Sequence, residues 1–167
     1  MFSYQSQISD VLKDVKIFTP DKFTDYRGTM WTYWEKDMNT PPHKISKFTH
    51  SRKNVLRGLH GDNETWKHIT CVYGAFYLVV VDYREDSPTY LQWVSFTLDD
   101  KNCKSVLVPP GFLNGHLCLS DECVFHYTQS YPNEYIDWQD QYTLKWNDPD
   151  INISWPINNP ILSERDK

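Results

Sequence analysis

No stretch of this sequence approaches the roughly 18 consecutive apolar residues that a membrane-spanning helix requires. The opening MFSYQSQISDVLKDVKIF also lacks a basic segment leading into an apolar one, so no secretion signal is read in it, and a cytoplasmic protein without a membrane partner is expected. An excess of basic residues is missing too. Lys and Arg total 17 against 22 Asp and Glu, a net charge of −5, which excludes the broad cationic face of a general nucleic-acid binder. A local basic pocket for one phosphorylated ligand remains compatible with that balance. The four cysteines, Cys71, Cys103, Cys118 and Cys123, have no Cys-x-x-Cys spacing and sit among apolar, strand-like neighbours. They read as buried, reduced thiols. No His-x-His pair occurs, and His60, Glu64, His68 and His116 are scattered, so no bound metal is expected. No glycine-rich loop precedes a helix and no serine occupies a nucleophile elbow; neither a dinucleotide cofactor nor serine-hydrolase chemistry is expected.

What is present is aromatic and strand-like. The 167 residues suit a single domain, 40% hydrophobic, and the 16% aromatic content fits pleated, half-buried surfaces. Short runs at 14–19, 28–34, 45–51, 91–98, 105–108, 122–130, 142–146 and 151–155 read as strands. The strongest region, 69–83, reads as two strands broken at Gly74–Ala75. Only 7–13 and 158–162 read as helical turns. Many short strands with few helical periods predict an all-β sandwich or barrel spanning 1–167. Trp31, Trp34, Trp66 and Trp138 fit either base stacking or simple filling of the barrel and its interfaces.

Three segments do not read as ordinary strand or turn. In Arg57-Gly58-Leu59-His60, the period of two places Arg57 and His60 on opposite faces, unless Gly58 marks a bulge that turns both into one cavity. Lys67 precedes a strand, where a solvated lysine is the ordinary reading. Residues 109–116, PPGFLNGH, read as a turn near a barrel mouth that carries Asn114 and His116.

Taken in order, FTDYRG (23–28), VLRGLH (55–60), Lys67, VVDYREDSPT (80–89), PGF (110–112), WNDP (146–149), WP (155–156) and LSERD (162–166) resemble the dTDP-4-dehydrorhamnose 3,5-epimerase family over nearly the whole chain. HGD (60–62), TCVYG (70–74) and PILSERD (160–166) are similar to a bacterial branch acting on GDP-4-keto-6-deoxy-heptoses in capsule synthesis. The resemblance implies a cupin-type jelly roll without metal or other cofactor. It also implies a homodimer, with an N-terminal strand reaching towards the neighbour's site, and a nucleotide-sugar substrate carrying a 4-keto-6-deoxy sugar. The reaction removes a proton beside the ketone and returns one on the opposite face.

On that resemblance His60 is the base, Asp166 the carboxylate that orients it, and Lys67 the partner of the C4 oxyanion. An imidazole suits a base working near neutral pH, and a cation at the developing oxyanion stabilises the enolate. Arg57 and Arg27 match positions near the sugar and diphosphate, with Arg27 reaching the partner subunit's site. Phe23, Asn114, His116, Phe125 and Tyr131 complete the expected substrate-binding set. Asp82 is either a second orienting carboxylate or a structural partner of Arg84. The sequence also departs from the family. Phe125 stands where many members carry a tyrosine that protonates the opposite face, and a phenyl ring donates no proton. Tyr127 is the competing alignment, on the same strand face one pair along. Asn114 replaces a family histidine, and Thr32 a glutamate. The expectation is inversion at C3 alone of a GDP-4-keto-6-deoxy-heptose. The alternatives are inversion at C3 and C5, on that substrate or on dTDP-4-keto-6-deoxy-glucose, a silent sugar-nucleotide-binding cupin, and a metal-dependent cupin enzyme.

Overall fold

A computed structural model describes residues 4–167. Thirteen strands follow in chain order: β1 (Tyr4–Ile8), β2 (Lys16–Pro20), β3 (Lys22–Asp25), β4 (Gly28–Trp31), β5 (Ile45–Arg52), β6 (Leu56–Gly61), β7 (Trp66–Tyr73), β8 (Ala75–Asp82), β9 (Trp93–Asp99), β10 (Ser105–Val108), β11 (Phe112–Cys118), β12 (Glu122–Ser130) and β13 (Tyr142–Thr143). Among the described residues the only helical elements are two short 3-10 turns, Lys36–Met38 and Glu164–Asp166.

The strands form a six-stranded sheet, β1-β2-β10-β7-β12-β5, and a five-stranded sheet, β13-β6-β11-β8-β9, with β3 and β4 as a separate hairpin. All the strand pairs are antiparallel. Apart from β1–β2 and β8–β9, neighbours along each sheet are not consecutive in the chain, as in a jelly roll. Apolar side chains from both sheets meet between them, including Ile17, Ile69, Cys71, Phe76, Val80, Val106, Cys118, Cys123 and Phe125. The four cysteines are free and buried, so they behave here as small apolar groups. Gly74 takes φ +71° in the β7–β8 turn, the left-handed geometry that glycine adopts without steric cost.

The outer face of the five-stranded sheet is covered by the C-terminal segment. Leu144, Ile153 and Trp155 pack over Leu59, Val79, Val81 and Leu113. The chain is then pinned to the start of β6. The Ile161 N–H donates to the Asn54 carbonyl at 2.8 Å, and the Leu56 N–H donates to the Ile161 carbonyl at 3.0 Å. The second 3-10 turn follows at once, and its last residue, Asp166, is buried.

Several expected elements differ. Residues 7–13 are the end of β1 and a turn rather than a helical turn: Ser9 Oγ accepts the Leu12 N–H, and Leu12 and Val15 anchor the loop in the core. Residues 158–162 form a single bridge, Val55 to Ile161, rather than a helical turn. Residues 151–155 form no strand, because Asn152 is left-handed (φ 52°) and Trp155 folds back to donate its indole N–H to the Trp146 carbonyl. Only Pro109–Gly111 of the 109–116 stretch is a turn; Phe112 onward is the fully buried β11. β3, a polar strand paired only with β4, had no apolar alternation to reveal it.

Candidate active site

β6 carries Arg57 and His60 on a broken register. His60 pairs with Asn114 and Arg57 with His116, so three residues of β6 span only two of β11. The shift is the bulge that the glycine suggested. Gly58 has φ +115°, and a Cβ there would lie 2.5 Å from Gly115 Cα. Only glycine fits, and the result is that Arg57 and His60 line the same cavity.

That cavity, about 330 Å³, opens between the two sheets. β7 contributes Lys67, β11 contributes Asn114 and His116, and β12 contributes Phe125, Tyr127 and Gln129 at its period of two. Four cationic side chains, Lys47, Arg57, Lys67 and Arg165, line it against one carboxylate, Asp137. The basic pocket that the overall charge left open is therefore present, and it suits an anionic ligand.

His60 and Asp166 are 106 residues apart, yet Nε2 of His60 lies 2.7 Å from Asp166 Oδ1. With Nε2–H donated to the carboxylate, the lone pair of the ring is on Nδ1. Ser163 Oγ donates to the other oxygen, Oδ2, at 2.8 Å. Burial pushes the Asp166 carboxyl up, but the hydrogen bonds from His60 and Ser163 hold it below the ordinary value. Asp166 is thus an ionised, immobilised acceptor that fixes the imidazole.

Lys67 is only 8% exposed. Its Nζ donates to Asn114 Oδ1 at 3.0 Å and to the His60 carbonyl at 3.3 Å. Burial lowers its pKa to about 8. An ammonium beside neutral acceptors keeps its charge available to a ligand, and Asn114 serves it as one such acceptor. His116 is buried and stacked on Phe125, with ring centroids 4.1 Å apart. Burial pulls its pKa down to about 3, so it stays neutral at physiological pH. Phe125 itself is 4% exposed.

Arg57, His60, Lys67, Asn114, His116 and Phe125 thus come together, with Asp166 behind His60. The other expected residues do not join them within this chain. Phe23 and Arg27 sit on the β3–β4 hairpin, Phe23 60% exposed and Arg27 paired with Asp25. Tyr131 lies just beyond β12 in an adjoining cleft with Pro42 and Trp66, under the Lys44 ammonium. Asp82 is buried far along β8 and receives hydrogen bonds from Arg84, Ser87 and Thr89, which is a structural arrangement. Sequence reasoning overlooked Lys47 and Arg165. Lys47 alternates towards the cavity on β5, and Arg165, held by Thr143 and lying over Trp138, adjoins Asp166. No group of three or more metal-binding side chains occurs among the described residues. Nor is any described helix long and apolar enough to cross a membrane.

The sequence pattern of dTDP-4-dehydrorhamnose 3,5-epimerase matches residues 9–167. The dTDP-4-dehydrorhamnose 3,5-epimerase of Shigella flexneri is 38% identical over 168 residues, covering 95% of this chain and 91% of that protein. Among solved structures, NovW, a 4-keto-6-deoxy sugar epimerase from the novobiocin gene cluster of Streptomyces spheroides, superposes with a TM-score of 0.90 at 29% identity, covering 98% of this chain and 84% of that one. The dTDP-6-deoxy-D-glucose-3,5-epimerase of Legionella pneumophila, solved with dTDP-4-keto-L-rhamnose, superposes with a TM-score of 0.89 at 28% identity, covering 97% and 90%.

Proposed function

Because this chain belongs to the dTDP-4-dehydrorhamnose 3,5-epimerase family, we propose that it inverts C3 and C5 of a dTDP-linked 4-keto-6-deoxy hexose. The chain is an isomerase of nucleotide-linked 4-keto-6-deoxy sugars. The choice of nucleotide and carbons follows the names of its relatives, which favour dTDP and both centres. None of the three relatives described supports the GDP-heptose expectation.

The observation that carries the reading is the His60–Asp166 pair at 2.7 Å, with the Lys67 ammonium beside it in a cation-lined cavity. A C–H next to a ketone is acidic only because its electron pair delocalises onto the carbonyl oxygen. His60 removes the proton through the ring nitrogen that Asp166 leaves free. Asp166 fixes the tautomer and stabilises the imidazolium that forms. Lys67 meets the enolate oxygen, where a preorganised cation lowers the barrier most. Arg57 and Arg165 face the diphosphate. The same oxyanion partner serves C3 and C5, because the two enolates, C3=C4 and C4=C5, both place their charge on the C4 oxygen.

The assay is solvent exchange. The enzyme is incubated in D2O with dTDP-4-keto-6-deoxy-glucose and, separately, with a GDP-4-keto-6-deoxy-heptose, and deuterium is located by NMR. Label at C3 and C5 of the dTDP sugar is expected, and none with His60→Asn. Label only in the heptose would refute the dTDP assignment. Phe125 on the wall opposite His60 favours a second reading, inversion at C3 alone; label confined to C3 selects it. The active unit in this proposal is a homodimer. Arg27, with a side chain 71% exposed, and Phe23 on the projecting hairpin then enter the neighbour's cavity, and the exposed edge strand β1 is available for exchange. A monomer by gel filtration at assay concentration would overturn that part.

A further inference from the structure

The chain leaves β12 at Ser130 and rejoins the five-stranded sheet at β13, which starts at Tyr142. The segment between them, 131–141, walls the catalytic cavity on its outer side with Tyr135, Asp137, Trp138 and Gln141. The other walls are strands held in register, but this one is not. Among the described residues its backbone groups make one hydrogen bond to another backbone group, from the Asp140 N–H to the Asp137 carbonyl, and that bond is internal. Tyr135 is 37% exposed and Trp138 53%. Exposed backbone and few buried contacts place a segment at the low end of local stability. Open aromatic faces at the rim of a polar cavity are contact surface for something that enters it.

Two cations hold the segment against the barrel. Lys47 of β5 donates from Nζ to the Tyr135 hydroxyl at 2.6 Å and lies 4.4 Å from the centre of that ring. Arg165, next to Asp166, lies 5.4 Å from the centre of the Trp138 ring. Near the two ends, Asn133 Nδ2 donates to Glu64 at 3.3 Å and Gln141 Nε2 to Asp62 at 3.5 Å. Lys47 is charged at neutral pH: burial lowers its pKa, but the Tyr135 hydrogen bond and the Asp137 carboxylate help to outweigh that. An ammonium has three N–H donors, and Tyr135 takes one, which leaves donors for an anionic oxygen in the cavity.

We propose that 131–141 is a lid that closes over bound substrate, and that Lys47 is the positioning residue that couples closure to the substrate's diphosphate. This rests on the epimerase reading above, which puts a nucleotide diphosphate in the cavity. Phosphate oxygens that reach Lys47 and Arg165 leave each cation bridging the ligand on one side and a lid ring on the other. The closed lid then makes contacts that the open one lacks, and the ligand shifts the equilibrium towards it. Closure also removes water that competes for the enolate oxygen beside Lys67, which strengthens that charge contact.

Hydrogen–deuterium exchange of the whole protein, resolved by peptide mass spectrometry, reads the lid directly. It is measured without nucleotide and with saturating dTDP or GDP, binding being followed by calorimetry. Amides of 131–141 are expected to exchange fast in the free protein and to slow by at least about tenfold with nucleotide bound, while β6 to β8 stay protected throughout. Nucleotide binding to wild type without that slowing would overturn the lid. Lys47→Met, with nucleotide raised to saturate it, is expected to lose the slowing. With dTDP-4-keto-6-deoxy-glucose its KM should rise and its kcat fall, each by about tenfold, because a lid residue acts on both. A rise in KM alone, with the slowing retained, would make Lys47 a plain diphosphate contact and overturn the coupling. Tyr135→Phe removes only the hydroxyl that Lys47 meets and should lose part of the slowing; slowing unchanged in both variants would also overturn the coupling. Failure of the epimerase reading looks different: neither nucleotide binds, and no deuterium enters the sugar of either nucleotide sugar in D2O.

Discussion

Lys67→Met separates the stability cost of the active site from its catalytic use. The wild-type ammonium is 8% exposed and its pKa falls from 10.5 to about 8 on folding. The unfolded chain therefore binds the proton more tightly, and stability rises with pH between those two values. Below pH 8 the folded protein carries the charge at a cost of about 3 kcal/mol, from roughly 1.36 kcal/mol per pKa unit. At pH 10 the folded lysine is neutral and the remaining cost is about 1 kcal/mol. Methionine is close in length and carries no charge, so it removes this cost. It also strips Asn114 Oδ1 of its donor, a penalty of about 1–3 kcal/mol that does not depend on pH. The advantage of the variant over wild type should thus shrink by about 2.5 kcal/mol from pH 7 to pH 10. Urea denaturation of both proteins at the two pH values measures this directly, because titrations common to both cancel in the difference. The variant should meanwhile lose at least about a hundredfold in kcat, as sites do on losing an oxyanion partner. A stability difference that is constant with pH would refute the argument that burial of this charge sets the lysine's behaviour.

Asp166→Asn should lower kcat by about a thousandfold or more while KM changes little, because the carboxylate holds His60 rather than the substrate; steady-state kinetics check this, and a purely KM effect would contradict it. Gly58→Ala should destabilise the protein by about 2–3 kcal/mol in urea melts, since its Cβ would meet the backbone of Gly115 and Asn114 at a positive φ. Asp82→Asn should cost about 1–3 kcal/mol at pH 7, the scale for unpairing buried hydrogen-bonding groups, because Arg84 is partly exposed and stays paired with Asp14. Burial raises the Asp82 pKa, but the Arg84, Ser87 and Thr89 hydrogen bonds more than offset that and hold it far below the ordinary range. Its stabilisation is therefore present above about pH 4 and lost as pH falls through the acid range, and the variant's acid limb should be flatter.

What the sequence disclosed tracks how local each determinant is. The strands at 105–108 and 122–130 were legible to the residue because apolar alternation ends at clear stops, Pro109–Pro110 and the Ser130–Tyr131–Pro132 turn. The bulge at Gly58 was legible too, since only a register break brings Arg57 and His60 to one side. Asn114–Gly115 misled because that dipeptide ordinarily marks a turn; here it sits mid-sheet, where a small residue is needed for the close approach of Gly58. The helical reading of 7–13 failed because the polar Ser9 and Asp10 close a turn once Leu12 and Val15 enter the core. The contact between His60 and Asp166 had no local signal at all. It depends on the C-terminal segment crossing the sheet and being pinned at Ile161, and only the order of motifs along the chain pointed to it.

The two walls of the cavity belong to different sheets, so they are set by different parts of the chain. His60 and Asn114 stand on the five-stranded sheet, and Asp166 is fixed against it, so the proposed proton removal depends on the β6 bulge and the pinned C-terminus. The facing wall is β12 of the six-stranded sheet, which presents Phe125, Tyr127 and Gln129. The side chain at 125 fills buried space beside a neutral histidine, and a phenyl ring does so without leaving a hydroxyl unpaired. Phe125→Ala should therefore destabilise the protein by about 3–5 kcal/mol in urea melts, because it empties a position packed between His116 and Phe76. A loss below about 1 kcal/mol would show that the position is not closely packed, and that the ring carries no consequence for the wall facing His60.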